Sequence, residues 1–260
     1  MCSSDLGVNV DGEEGIIFFE DKKVQTVKKY EVVYVNAEEI EEGGLHILRD
    51  NNIYIFKNLE KIYKDINKLI EEKRLIIDNF LLIVVTKTVN SDKIIRAIEY
   101  GIVDIAENRV LELLNRQEQF KDFKNVRYYL IGQLQTNKVK KITGKTFLIH
   151  SLDRISLLNE LEKVGKEKNI VTDALIQLNI SKEDSKSGIY EENLEEFIKA
   201  CESCKFVKIK GLMTIAPYVE NPEEIKWIFN KMKEIFEKLK LNNYENIEMK
   251  YLSKIGRAHV

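Results

Sequence analysis

Seven short apolar runs, at 81–86, 102–105, 127–131, 146–149, 174–178, 207–213 and 249–252, recur along the chain with helix-periodic segments between them. Each run is too short for a core helix and too continuously apolar for a strand with one wet face. It therefore reads as a parallel strand covered on both sides. Parallel neighbours need a crossover of a dozen or more residues, and the intervening segments supply it. In 91–100, Ile94, Ile95, Ala97 and Ile98 form an apolar stripe that Gly101 stops. After Asn221 as cap, Pro222 takes the first helical position and Glu224 the third, and Ile225, Ile228, Phe229, Met232, Ile235, Phe236 and Leu239 make the buried face. A further stripe begins behind Asn58 with Leu59, Ile62, Tyr63, Ile66, Leu69 and Ile70, a helix ahead of the first run.

Strands alternating with helices restrict the fold to an open doubly wound sheet or a closed barrel. No G-x-G-x-x-G and no Walker loop is present, which weakens the nucleotide-binding versions of the open sheet. The expectation is an α/β chain: a (β/α)8 TIM-type barrel lacking its last strand, preceded by a short β-rich segment. The barrel spans 57–254. The β-rich segment spans 7–56, with strands at 16–19, 24–27 and 31–35 and a Gly43-Gly44 turn before 45–48. Residues 1–6 and 255–260 look foreign to the rest, both resembling translations of a common sequencing adapter. The expectation is that they are artefact and that native chain continues past 254.

Composition narrows the partners. The 41 basic and 43 acidic side chains cancel to a net charge of -2, so no broad basic face is implied and nucleic acid is not an expected partner. The three cysteines cannot make a disulfide framework, and no apolar leader or 18-residue apolar stretch is visible. Together these point to a cytoplasmic protein with no membrane partner. Cys201-x-x-Cys204 lies in a charged helical stretch without a second pair or a nearby His. It reads as two helix cysteines rather than a metal or redox site.

In a barrel the strand C-termini share the face on which chemistry occurs. Lys87 directly follows the first run. An ammonium there is costly to bury unless it is paired or its pKa falls, and a lowered pKa is what an imine-forming lysine needs. The residues alone leave a second reading open, a lysine that has reached the solvated rim. The second run leads into Glu107-Asn108-Arg109, where a Glu-Asn pair can cap the next helix or hydrogen-bond a ligand. The third ends in 132–138, Gly-Gln-Leu-Gln-Thr-Asn-Lys, with a glycine for close approach and neutral amide donors. In 149–154, Ser151 or Asp153 can cap the following helix, and His150 either lines the pocket or is a satisfied core histidine, of which the structural role is preferred. The fifth run ends in Asn179-Ile180-Ser181 and a polar loop to Gly188, and the sixth in 211–215.

The order of these motifs resembles the pyridoxal phosphate homeostasis protein family, small single-domain relatives of the alanine racemase N-terminal barrel. The matching stretches are Val84-Val85-Thr86-Lys87, 107–112, 131–138, 150–154, Asn179-Ile180-Ser181 with Lys186-Ser187-Gly188, Gly211-Leu212-Met213-Thr214-Ile215, and Tyr251-Leu252-Ser253. They are collinear over residues 58–253. The resemblance implies that Lys87 holds pyridoxal 5'-phosphate as a Schiff base. Asn108 then borders the ring, and Met213 and Ser253 complete the site. It also implies a role in vitamin B6 homeostasis without defined catalytic turnover, with pyridoxal-phosphate-dependent apoenzymes as recipients, and a monomer. The departures are Ala106 where the family has Gly, and Tyr128-Tyr129 where it has Trp-His. After Leu252-Ser253 the family continues with Met-Gly-Met-Ser, a helix and a strand bearing Arg-Ile-Gly, which hold the phosphate and face the pyridine nitrogen. Lys254 and the adapter-like tail stand there instead, so weak cofactor binding is expected. A competing expectation is a racemase-like enzyme using the same lysine, although no second β domain follows the barrel.

Overall fold

The computed structural model describes residues 9–10, 13–14, 30–36 and 81–257, apart from 88, 100, 184, 220 and 221. Strands β1 (Asn9–Val10) and β2 (Glu13–Glu14) form a two-residue antiparallel ribbon. The other eight strands close a barrel: β3 (Tyr30–Asn36), β4 (Leu81–Val85), β5 (Asp104–Glu107), β6 (Arg127–Leu130), β7 (Leu148–Leu152), β8 (Thr172–Leu178), β9 (Val207–Tyr218) and β10 (Ile247–Arg257). Every pairing around the ring is parallel, in the order β10-β3-β4-β5-β6-β7-β8-β9.

All seven apolar runs are barrel strands. On sequence alone the ring is one strand short; in the structure β3, from the segment 7–56, holds the eighth place. It pairs with β4 from Val32–Leu81 to Asn36–Val85 and with β10 at Tyr30 and Glu31. Strand β10 continues past Ser253 to Arg257, opposite β9. The helix expected from Asn58, the strands at 16–19 and 24–27, the turn at 43–44 and the Asn221 cap lie outside the described residues.

Two boundaries move, for physical reasons. Strand β5 begins at Asp104 rather than 102. Ile102 is buried, but its N–H bonds Ala97 O, so its apolarity serves the turn after the helix. Strand β7 runs on to Leu152, through His150 and Ser151, because both polar side chains find partners inside the protein.

Outside the sheet lie α1 (Ser91–Glu99), α2 (Val110–Gln119), α3 (Val139–Ile142), α4 (Ile155–Lys168), α5 (Leu194–Glu202) and α6 (Lys226–Lys240). Helix α1 starts at Asn90, whose Oδ1 accepts the Asp92 N–H at 3.0 Å, and stops where Gly101 takes φ +98°. Pro222 opens a 3-10 turn, Pro222–Ile225, ahead of α6 rather than the α-helix itself. The predicted face of α6 is otherwise buried at Ile228, Met232, Ile235, Phe236 and Leu239. On α4, Leu157, Leu158, Leu161 and Val164 are buried. Each such side chain contributes about 1.5–3 kcal/mol, so the helix layer is a principal source of stability.

One end of the barrel is closed by a polar cluster. Asp104, buried at the start of β5, accepts a bidentate pair from Arg127 Nε and Nη2, both at 2.6 Å. It also accepts the Tyr129 hydroxyl at 2.8 Å. The Arg127 guanidinium lies 4.9 Å from the centre of the Phe147 ring. These groups sit at strand N-termini, the end of such barrels that serves stability, and leave the opposite mouth for the site.

Candidate functional site at the C-terminal mouth of the barrel

The hydrogen-bond ladder determines which residues meet at the mouth. Val85 pairs with Ala106, Glu107 with Leu130, and Leu130 with Ile149. The ladder continues past the strand ends, with Thr86 N bonded to Ala106 O at 2.9 Å and Ile131 N to Glu107 O at 3.1 Å. Carrying that register forward sets Lys87, Asn108, Ile131 and His150 in one row across four strands. Residues level in a parallel sheet point to the same side. His150 fixes which side: its Nδ1 lies 3.3 Å from Ser253 Oγ on β10, a strand reachable from β7 only across the barrel interior. The row therefore faces inward, at the top.

Lys87 and Asn108 are half-buried, at the end of β4 and just past β5. Met213 and Ser253 are fully buried and paired in register on β9 and β10, with Gln177 of β8 level beside Met213. The structure thus brings the four sequence-predicted residues into two pairs. Lys87 and Asn108 are level on neighbouring strands at the mouth, Met213 and Ser253 are level on β9 and β10, and His150, at the far end of the first row, meets Ser253 across the interior. His150 is fully buried, with its ring edge against Tyr129 at 5.8 Å. Burial drives its pKa down to about 3, so the imidazole is neutral. This agrees with its reading as a core histidine.

Backbone packing around the row leaves no slack. A Cβ on Gly132 would lie 2.2 Å from Asn108 O, so only glycine lets the end of β6 pass Asn108. Ser151 Oγ donates to Gly132 O at 2.7 Å, tying β7 to the same point. Across β6 to β9 the mouth is roofed by the loop after β8. Gln133 Nε2 donates to Ser187 Oγ at 2.9 Å and to Asp153 Oδ2 at 3.2 Å. Gln177 Nε2 reaches Ser187 O at 2.9 Å, Asn179 Nδ2 reaches Glu183 O and Lys186 O, and Lys186 Nζ donates to Ala216 O. Gly188, at φ +133°, makes the return, where a Cβ would meet Asn179 N at 2.7 Å.

Neither of the two helix caps offered by the sequence is realised. Helix α2 begins after Arg109 with no side-chain cap, so the Glu107-Asn108 pair does not cap it. Helix α4 begins after Arg154, likewise uncapped. Ser151 is committed to Gly132, and Asp153 to Gln133 and Arg154, which explains why neither caps that helix. Glu107 faces away from the mouth. It is buried against the helix layer, where its Oε1 accepts Thr86 Oγ1 at 2.7 Å and Arg116 Nε at 3.1 Å. Burial raises its pKa, opposed by those two bonds and the guanidinium charge. Arg116 and Thr86 were not legible as site residues. The only available signal is an arginine nine residues after Glu107, in the helix that the Glu-Asn motif introduces.

Residues 70–253 match the family model for the alanine racemase N-terminal domain. The chain is 41% identical over 174 residues to the pyridoxal phosphate homeostasis protein of Aquifex aeolicus, which covers 67% of this chain and 75% of that protein. It is 32% identical over 154 residues to the protein of the same name from Synechocystis sp., covering 59% and 71%. Among solved structures, PipY of Synechococcus elongatus with PLP bound aligns at a TM-score of 0.63 and 24% identity, over 72% of this chain and 86% of that one. An uncharacterised protein from Bifidobacterium adolescentis aligns at 0.71 and 20%, over 81% and 96%. At those identities the structural likeness is one of fold.

Proposed function

The chain belongs to the alanine racemase N-terminal domain family, among its pyridoxal phosphate homeostasis proteins, and from that premise we propose that it binds pyridoxal 5'-phosphate at the barrel mouth, held as a Schiff base on Lys87. The observation that carries the proposal is the inward row that sets Lys87 level with Asn108 at the strand C-termini. The cofactor supplies an aldehyde that a neutral primary amine attacks with loss of water. The donor set fits such a group: Lys87 offers the amine, Asn108 a neutral amide beside it, and Met213 and Ser253 line the interior below. His150 adds no charge to that interior, because its imidazole is neutral.

Three side chains support holding over turnover. Racemisation needs, besides the lysine itself, a second acid–base group on the other face of the substrate carbon. His150, at a pKa of about 3, is a very weak one. Glu107 is turned into the helix layer and bound by Thr86 and Arg116. Asp153 is paired with Arg154 and Gln133. We propose that the protein carries pyridoxal phosphate without defined catalysis, as a monomer in the cytoplasm, and hands it to pyridoxal-phosphate-dependent apoenzymes. Among the described residues no helix is long and apolar enough to cross a membrane.

Incubation with pyridoxal phosphate, borohydride reduction and peptide mass mapping tests the assignment: the expected adduct is on Lys87. Adducts on other lysines with none at Lys87 would sink it. Amino-acid racemisation and retro-aldol assays test the carrier role, which fails if turnover clearly exceeds that of free pyridoxal phosphate.

A further inference from the structure

Lys87 sits in a tight turn between β4 and α1, closed by Val89 N–H on Thr86 O at 3.3 Å. Behind it, on α2, stands Arg116, whose side chain is 13% exposed and whose guanidinium has five N–H donors in a fixed fork. It makes five hydrogen bonds. Nε donates to Glu107 Oε1 at 3.1 Å, and Nη1 to Ser91 Oγ at 2.9 Å and Gln119 Oε1 at 3.2 Å. Nη2 donates to Thr86 O at 3.2 Å and to Val89 O. The carbonyls bracketing Lys87, Thr86 and Val89, are thus joined to one nitrogen, and the first residue of α1 to the next.

The fork is itself held. Glu107, 1% exposed, accepts Arg116 Nε and Thr86 Oγ1 on the same oxygen, and Thr86 Oγ1 also lies 3.2 Å from Ala106 O. One assembly therefore connects the end of β4, the Lys87 turn, the start of α1, the end of β5 and the body of α2. It lies on the outer side of the sheet, away from the inward row, so it touches the mouth only through the backbone it grips. A charged pair this deeply buried is a costly way to add stability, which suits it better to enforcing a geometry.

We infer that Arg116, locked by Glu107 and Thr86, is the positioning residue for Lys87: it holds the β4–α1 turn so that the lysine amine stays aimed into the barrel. The inference rests on the proposed role of Lys87 and adds the device that makes this lysine, rather than its many surface neighbours, the reactive one. Small losses of positioning at a reacting group cost on the order of tenfold to a hundredfold in reaction.

The test compares the full chain with Arg116→Met, which keeps the stem and removes the fork. Leu113→Ala, at a fully buried position on the same helix, serves as a control that destabilises α2 without touching the assembly. Amide hydrogen exchange is read by peptide, and borohydride trapping of pyridoxal phosphate is read lysine by lysine. Arg116→Met is expected to speed exchange across 86–91 while α4 is unchanged, and to lower the Lys87 adduct relative to other lysines by about tenfold. Leu113→Ala is expected to leave that selectivity as in the parent chain. If Arg116→Met does not fold, Thr86→Val, which removes one hydroxyl, carries the same two readouts. Unchanged exchange at 86–91, or equal loss of selectivity in Leu113→Ala, overturns the inference. A parent chain that gives no Lys87 adduct overturns the proposed function instead, and the exchange measurement still decides whether Arg116 holds the turn.

Discussion

Burial of His150 makes the stability of this barrel depend on pH in a way that one substitution should erase. The side chain is fully buried between Tyr129 and Ser253, and its pKa falls from an ordinary 6.5 to about 3. The folded state therefore takes up a proton here only well below the pH at which the unfolded chain does. Above 6.5 both states are neutral and the contribution is fully present. As pH falls from 6.5 toward 3 the unfolded state binds the proton, the folded state does not, and stability is lost. At about pH 5 the loss relative to neutral pH is roughly 2 kcal/mol, at 1.36 kcal/mol per pH unit. Other groups titrate with the opposite sign. Burial raises the pKa of Glu107 and of Asp173, so their contributions improve as pH drops. The raw curve mixes these, and the informative quantity is a difference. In His150→Asn the amide takes the place of Nδ1 opposite Ser253 Oγ and cannot charge. Urea unfolding of both chains between about pH 7.5 and 5 should give wild-type stability falling relative to the variant by roughly 2 kcal/mol. A flat difference, or a His150 imidazole that titrates near 6.5 by NMR, would refute the buried, neutral histidine and the inward row built on it.

Two further outcomes follow from packing and burial. Gly211, at φ +145°, would place a Cβ 1.7 Å from Tyr251 O of the paired strand, whereas Gly101, at φ +98°, meets nothing within 4 Å. Gly211→Ala should cost more than about 3 kcal/mol or prevent folding, and Gly101→Ala only about 1–2 kcal/mol; similar losses in thermal unfolding would contradict the β9–β10 packing. Cys201 and Cys204 are buried, and burial pushes the Cys201 thiol up beyond the usual range and Cys204 up to about 11. Both should react with Ellman's reagent only as fast as the protein opens, and at once in denaturant; rapid native labelling mapped by peptide to Cys201 or Cys204 would show that thiol to be exposed.

The alternation of apolar runs with helical stripes is enough to place all seven strands from β4 to β10, because runs this short, continuously apolar and separated by helical stripes fit strands buried on both faces and are too short for core helices. What sequence does not supply is the closure of the ring. Strand β3 is one β-branched run among several in 7–56, and its partner β10 lies more than two hundred residues away in the chain, so local pattern carries no record of the pairing. The candidate site divides along the same line. Lys87 is visible because a lysine ending an apolar run conflicts with its surroundings, and such conflicts mark function. Asn108 is visible as part of a strand-to-helix junction, although its side chain does not cap α2. Glu107 and Asn108 are neighbours in sequence, yet a strand sends them to opposite faces, one to the mouth and one to the helices. Reading them as a pair conceals the division of labour: Asn108 stands beside Lys87, while Glu107 reaches behind the sheet to Arg116 and Thr86. Under the proposed assignment, function in this barrel is two-sided: the inner face of the sheet presents the groups, and the outer face, through Arg116, holds the backbone that carries them.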